Sequence, residues 1–193
     1  GIETDRLFTS VMTDHGKLGK SLADAVIQGK AVKVGILSGN QSQLGMRQRL
    51  KSVKDKLEEA GIEISWILSE KELDKKMRNV EYFAEQPVDT VISLDNDDTE
   101  KAVDIILNDD RISWKLYGEG RSEKLIYYLD KGTIQELAVP NEYYMGYQSI
   151  VLAAQNIRYY TDKTEQAEVE FYMVSKDNLY DEETSRILFP AVR

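Results

Sequence analysis

The sequence predicts an α/β fold: a mostly parallel sheet flanked by helices on both faces. Three observations carry that expectation. Short β-branched apolar runs alternate with longer stretches of helical spacing, the runs are apolar along their length, and glycines stand just past the helical stretches as stops. A strand buried on both faces reads as a continuous apolar run. Regular strand–helix alternation favours parallel pairing through crossover helices.

Strands are expected at Leu7–Met12, Val32–Leu37, Ile62–Leu68, Val88–Leu94, Ile112–Tyr117, Ile134–Val139 and Val169–Val174. The clearest helix carries Met46, Leu50, Val53, Leu57 and Ala60, whose steps of four and three keep one stripe inward, and Gly61 stops it. Its other face, with Arg49, Lys51, Lys54, Lys56 and Glu58, reads as solvated. A second helix is expected near Asp98–Leu107 and a third over Arg121–Asp130, stopped by Gly132. The longest, Glu142–Tyr159, is apolar around much of its circumference and is expected to be well buried. Tyr160–Glu168 reads as a polar linker or crossover. The tail Ser175–Arg193 breaks the alternation, and its Leu188–Arg193 end reads as an extended strap or as a segment that needs a surface from outside this chain.

Composition removes whole classes of function. The 193 residues hold 25 Lys+Arg against 34 Asp+Glu, a net charge of -9, which disfavours a nucleic-acid face built on clustered cations. With no cysteine there is no disulfide, thiolate nucleophile or Cys-ligated metal, and the one histidine, His15, excludes a multi-histidine site. No signal peptide and no run of about 20 apolar residues is visible. Asp95-Asn96-Asp97-Asp98 suggests a calcium loop, but Glu100 and Ile106 stand where Gly and Glu would be needed, so capping by Asp97 or Asp98 is the better reading. Gly118-Glu119-Gly120 does not extend to a dinucleotide fingerprint. His15 has no nucleophile elbow to serve, and it reads as a surface loop residue. No catalytic constellation and no cofactor motif is present, so the chain reads as a binding module rather than an enzyme.

Ligands of open α/β sheets bind beyond the carboxyl ends of the strands. Those positions hold Thr13, Asp14 and His15 after the first strand, and Ser38, Asn40, Gln41 and then Arg47 after the second. Ser69 and Glu70 follow the third, Asp95 to Asp98 the fourth, Glu119 and Arg121 the fifth, and Asn141 to Tyr144 the sixth. Carboxylate, amide and guanidinium groups suit the vicinal hydroxyls of a sugar, and aromatic rings its apolar faces. Helix capping explains many of the same Asp and Asn residues.

The motifs, in order, resemble the type I periplasmic-binding-protein-like family, the sugar-binding lipoproteins of ABC importers. Ser10-Val11-Met12-Thr13-Asp14-His15-Gly16 is similar to the family's hinge-crossing entry into its second lobe. Val34-Gly35-Ile36-Leu37-Ser38-Gly39 with Arg47, and Val88–Leu94 ending in Asp95-Asn96-Asp97, look like its next strand ends. Leu116-Tyr117-Gly118-Glu119-Gly120 stands at its Gly-Phe-Asp turn. Ile134 to Pro140 followed by Asn141, Met145, Gly146 and Tyr147 resembles its return to the first lobe, and Phe171–Leu179 its closing strand.

The resemblance implies two lobes clamping a small sugar or polyol. Residues 1–139 would be the second lobe, and 140–193 the return helix, closing strand and strap, with most of the first lobe missing. It implies ligand contacts from Asp14, Arg47, Asp95, Asn96, Glu119 and Asn141, with no catalytic residue, metal or cofactor. It further implies an ABC permease or membrane sensor as partner, an extracytoplasmic place on a lipoprotein anchor, and self-association of the isolated piece through exposed hinge strands. The same fold would also serve as the effector domain of a lactose-repressor-type regulator in the cytoplasm.

Overall fold

The computed structural model describes residues 9–77, 81–159 and 166–189. In chain order these form β1 (Val11–Met12), α1 (His15–Gln28), β2 (Lys33–Leu37), α2 (Leu44–Glu59), β3 (Glu63–Leu68), α3 (Glu70–Lys76), α4 (Glu81–Glu85) and β4 (Thr90–Ser93). There follow α5 (Asn96–Asn108), β5 (Lys115–Glu119), α6 (Glu123–Asp130), β6 (Ile134–Pro140), α7 (Glu142–Tyr159), β7 (Ala167–Glu168), β8 (Phe171–Ser175) and α8 (Glu182–Leu188). The main sheet has the order β3-β2-β4-β5-β6-β8. Its pairs are parallel except β6 with β8, which is antiparallel. The strands β1 and β7 form a separate parallel pair.

Alternation along each strand divides the core into two layers. Val34, Ile36, Ile92, Leu94, Tyr117 and Ala138 pack under α1 and α2. Leu37, Val91, Leu116, Leu137, Val139 and Val174 face the other way, toward α5, α6 and α8. Successive residues of a strand point to opposite faces, so an uninterrupted apolar run serves both layers. Gly35 is the one β2 residue on the second face without a side chain. The Trp66 ring fills its place, lying 2.2 Å from where a Cβ would stand.

Several expectations are corrected. Helix α1 was not foreseen, because two glycines near its start obscure the stripe of Leu18, Leu22 and Val26. The strand expected at Ile112–Tyr117 pairs instead over Lys115–Glu119; Ile112 and Trp114 are buried without joining the ladder. Within the tail, Glu182–Leu188 forms α8, with Leu179 and Leu188 in the core, and the strap expected from Leu188 onward falls mostly outside the described residues. Helix α7 has the expected bounds but not the expected burial: over residues 142–158 no side chain is buried, and Ile150 and Ile157 are 72% and 75% exposed. Periodicity reports that a face is apolar, not that something covers it. Of the strand expected at Leu7–Met12, only Val11–Met12 is a strand, and residues 1–8 lie outside the described ones. Most of Tyr160–Glu168 and the last four residues lie outside them too.

Candidate functional site

The chain runs from β2 outward to β3 and then returns across to β4. The helix after β2 packs on one face of the sheet and the helix after β4 on the other. The loops leaving β2 and β4 therefore diverge, and a crevice opens between them at the carboxyl edge of the sheet, as a topological switch point requires.

At that crevice stands a charged cluster whose centre the sequence reading placed in solvent. Arg49 is only 4% exposed. Its Nε donates to Nδ1 of His15 at 3.1 Å, its Nη1 donates to the carbonyl of Leu94, and Nη1 lies 3.3 Å from Oε2 of Glu119. One guanidinium thus joins the start of α1, the end of β4 and the end of β5. Glu119 is 9% exposed, and its backbone carbonyl accepts from Thr99 Oγ1 at 2.8 Å. Burial lifts its pKa to about 7; Asp95 and Glu142 push the same way, and Arg49 opposes them. His15 begins α1 and is not a surface loop residue. Burial, seconded by Arg49, lowers its pKa to about 4, so the imidazole is neutral and free to accept at Nδ1.

The neighbouring acids serve the loops. Asp95 is the N-cap of α5, accepting from Asp98 N–H at 2.8 Å, so the cap is Asp95 rather than Asp97 or Asp98. Asp98 is fully buried: one oxygen accepts from Gly39 N–H at 3.2 Å and the other lies 3.4 Å from Lys101 Nζ. Burial, with Asp95 adding repulsion, raises its pKa to about 6. Gly39 has φ +64°, and a Cβ there would lie 2.4 Å from Asp95 Oδ2. The β2–α2 loop can close on the cap of α5 only without a side chain.

The expected site residues all fall on this edge of the sheet, but they do not converge equally. Asn96 and Glu119 line one open hollow of about 880 Å³. Asp14 caps α1 and lines another, of about 470 Å³, beside β1 and β7. Asn141 accepts from Tyr144 N–H at 3.0 Å and faces Glu168, Glu170 and Tyr172. Asn96 is committed within the protein: its Oδ1 accepts from the Arg121 and Ser122 amides and its Nδ2 donates to Glu100. Arg47 stands apart at the rim. Its Nη1 donates to the carbonyls of Gln41 and Ser42 and braces the β2–α2 loop. The residue missed was Arg49, and the signal was present. It lies three residues after Met46 and four before Val53, on the buried stripe of α2.

Close helix contact holds Arg49 in place. A Cβ on Gly19 of α1 would stand 2.6 Å from the Arg49 carbonyl oxygen, and one on Gly45 would stand 2.5 Å from the His15 ring. Gly19→Ala is expected to push α2 outward and destabilise the protein by about 1–3 kcal/mol. Urea unfolding measures this, and an unchanged midpoint would mean that the helices do not touch there.

An α/β layer with its polar crevice at a switch point, and strands β1 and β7 set apart from the main sheet, is the architecture of the type I periplasmic binding protein fold. The chain belongs to the periplasmic binding protein domain family, whose model matches residues 2–160. It is similar to a carbohydrate transporter solute-binding protein from Agrobacterium radiobacter, solved in complex with D-arabinose. That likeness has 17% identity and a TM-score of 0.85, over 97% of this chain and 68% of that one. It is also similar to a glucose-galactose binding protein from Geobacillus stearothermophilus, at 20% identity and TM-score 0.78, over 93% of this chain and 66% of that one. A third similar structure is a LacI transcriptional regulator from Bacteroides fragilis, at 14% identity and TM-score 0.76, over 89% of this chain and 63% of that one. At such identities the likeness establishes the fold. The chain spans about two thirds of the length of these solved proteins. No curated protein matches it. Among the described residues, no helix is long and apolar enough to cross a membrane.

Proposed function

We propose that this chain is part of the substrate-binding component of an ABC-type sugar transport system and holds a small sugar or related polyol by hinge closure. The observation that carries the reading is the buried Arg49–Glu119 pair beside Asp95 at the switch-point crevice. Planar donors and acceptors fixed in this way match adjacent hydroxyls with little ordering left to do on binding. Residues 1–139 serve as the second lobe, with Asp14, Asp95, Asn96, Glu119 and Asn141 along the cleft edge and Arg47 at its rim. Residues 140–193 form the return segment. The exposed apolar face of α7, with Tyr143, Tyr147, Ile150 and Ile157, packs against a first lobe carried elsewhere in the full protein, as a continuous apolar patch suggests. The setting is extracytoplasmic, on a lipoprotein anchor, with a permease or membrane sensor as partner.

Calorimetry on the full-length protein with D-arabinose, D-ribose, D-galactose and D-glucose is expected to show one-site binding to at least one of them. A folded protein that takes up none would overturn the reading. The likeness to the Bacteroides fragilis regulator favours a second reading, the effector domain of a transcription regulator. A helix-turn-helix in the full protein would select it over the transport role.

A further inference from the structure

The 880 Å³ hollow is a groove that runs away from the crevice. Its inner end is formed by Asn96, Glu119 and Pro140, at the strand ends. Its outer end is formed by Tyr127 of α6 with Tyr180 and Phe189, which flank α8. All three outer rings are exposed. The Tyr127 ring has Tyr128 edge-on at 5.0 Å and the Lys131 ammonium 5.4 Å from its centroid, so its setting is defined by neighbours. Arg121 lines the groove, donating from Nε to Glu142 at 2.9 Å and from Nη1 to the Ile187 carbonyl. Glu123 and Asp130 complete the polar lining.

Size and chemistry both bear on the occupant. Pockets for ligands of several rings occupy about 300–1,000 Å³, and this groove is near the top of that range. A protein-docking centre is depleted of charge. This groove instead interleaves four carboxylates, Glu119, Glu123, Asp130 and Glu142, with exposed aromatic rings. Rings that stack on C–H faces and carboxylates that accept hydrogen bonds from hydroxyls are the complement of linked sugar units. The groove is also continuous with the candidate cleft edge through Glu119.

We propose that this groove is an outer subsite and that the ligand is a di- or oligosaccharide. Its first ring lies at Glu119 and its second over Tyr127 and Tyr180. The inference rests on the sugar-binding reading of the crevice. It is tested on the full-length protein by calorimetry with D-arabinose, D-ribose, D-galactose and D-glucose, each against its own disaccharide, for the parent, Tyr127→Ala and Tyr180→Ala. The disaccharide of the accepted sugar is expected to bind at least about tenfold tighter than the single unit. Each substitution is expected to remove most of that advantage while leaving monosaccharide affinity within about twofold.

Equal affinity for both sizes, or variants that weaken both alike, would overturn the outer subsite while the sugar reading stands. Variants that change the oligomeric mass but not the selectivity would mark a protein face and overturn it as well. Binding of no sugar of either size removes the sugar reading and the subsite together.

Discussion

Arg49→Ala is expected to destabilise the protein by about 3–5 kcal/mol and to abolish sugar binding in the fraction that stays folded. The cost follows from what is left behind. Glu119 is buried, and without Arg49 its carboxylate has no ion-pair partner within 4 Å among the described residues to offset lost hydration. Its pKa, already about 7, would climb further, since the opposing effect of Arg49 is gone. The loss should therefore be larger at pH 8, where the parent keeps an ionised, paired carboxylate that the variant must protonate or leave unpaired, than at pH 6, where the carboxyl is neutral in both. Urea unfolding at the two pH values measures the cost, and Arg49→Ala combined with Glu119→Gln should recover part of it. A loss below about 1 kcal/mol at pH 8 would mean that Glu119 is hydrated and that the pair is a surface contact.

The second large effect concerns Asp98. Its carboxyl has a folded pKa of about 6 against 3.8 in the unfolded chain, so between those values the native state binds the extra proton. The stabilisation this gives is complete below about pH 4 and is lost as pH rises through 6. Asparagine does not titrate and keeps an oxygen for the Gly39 amide. The stability of Asp98→Asn relative to the parent is therefore expected to rise from pH 4 to pH 7 by up to about 3 kcal/mol. Parallel thermal-melting profiles for the two proteins over that range would contradict the buried position assigned to Asp98.

These two residues also mark what the sequence discloses. The parallel sheet was legible because a doubly buried strand needs apolar residues throughout, and the strand-end rule led directly to Asp95, Asn96 and Glu119. The role of each was less legible. Asp14, Asp95 and Asn141 all accept a backbone amide at the start of a helix, and no composition rule separates a cap from a ligand contact. Arg47 and Arg49 are two residues apart, and choosing by motif position selected the one that braces a loop. Choosing by helical spacing selects the one that is buried. Helix α7 shows the opposite limit, since its boundaries follow from local spacing but its exposure depends on surfaces distant in the chain.

The pairing of β1 with β7 has a mechanical consequence. Each strand contributes two residues, whereas the neighbouring main sheet is six strands wide. So short a ladder has little stiffness of its own. Torsion applied across it would be absorbed in a few peptide planes, and the Arg49–Glu119 pair, rooted in α2 and β5, would ride through the movement undistorted.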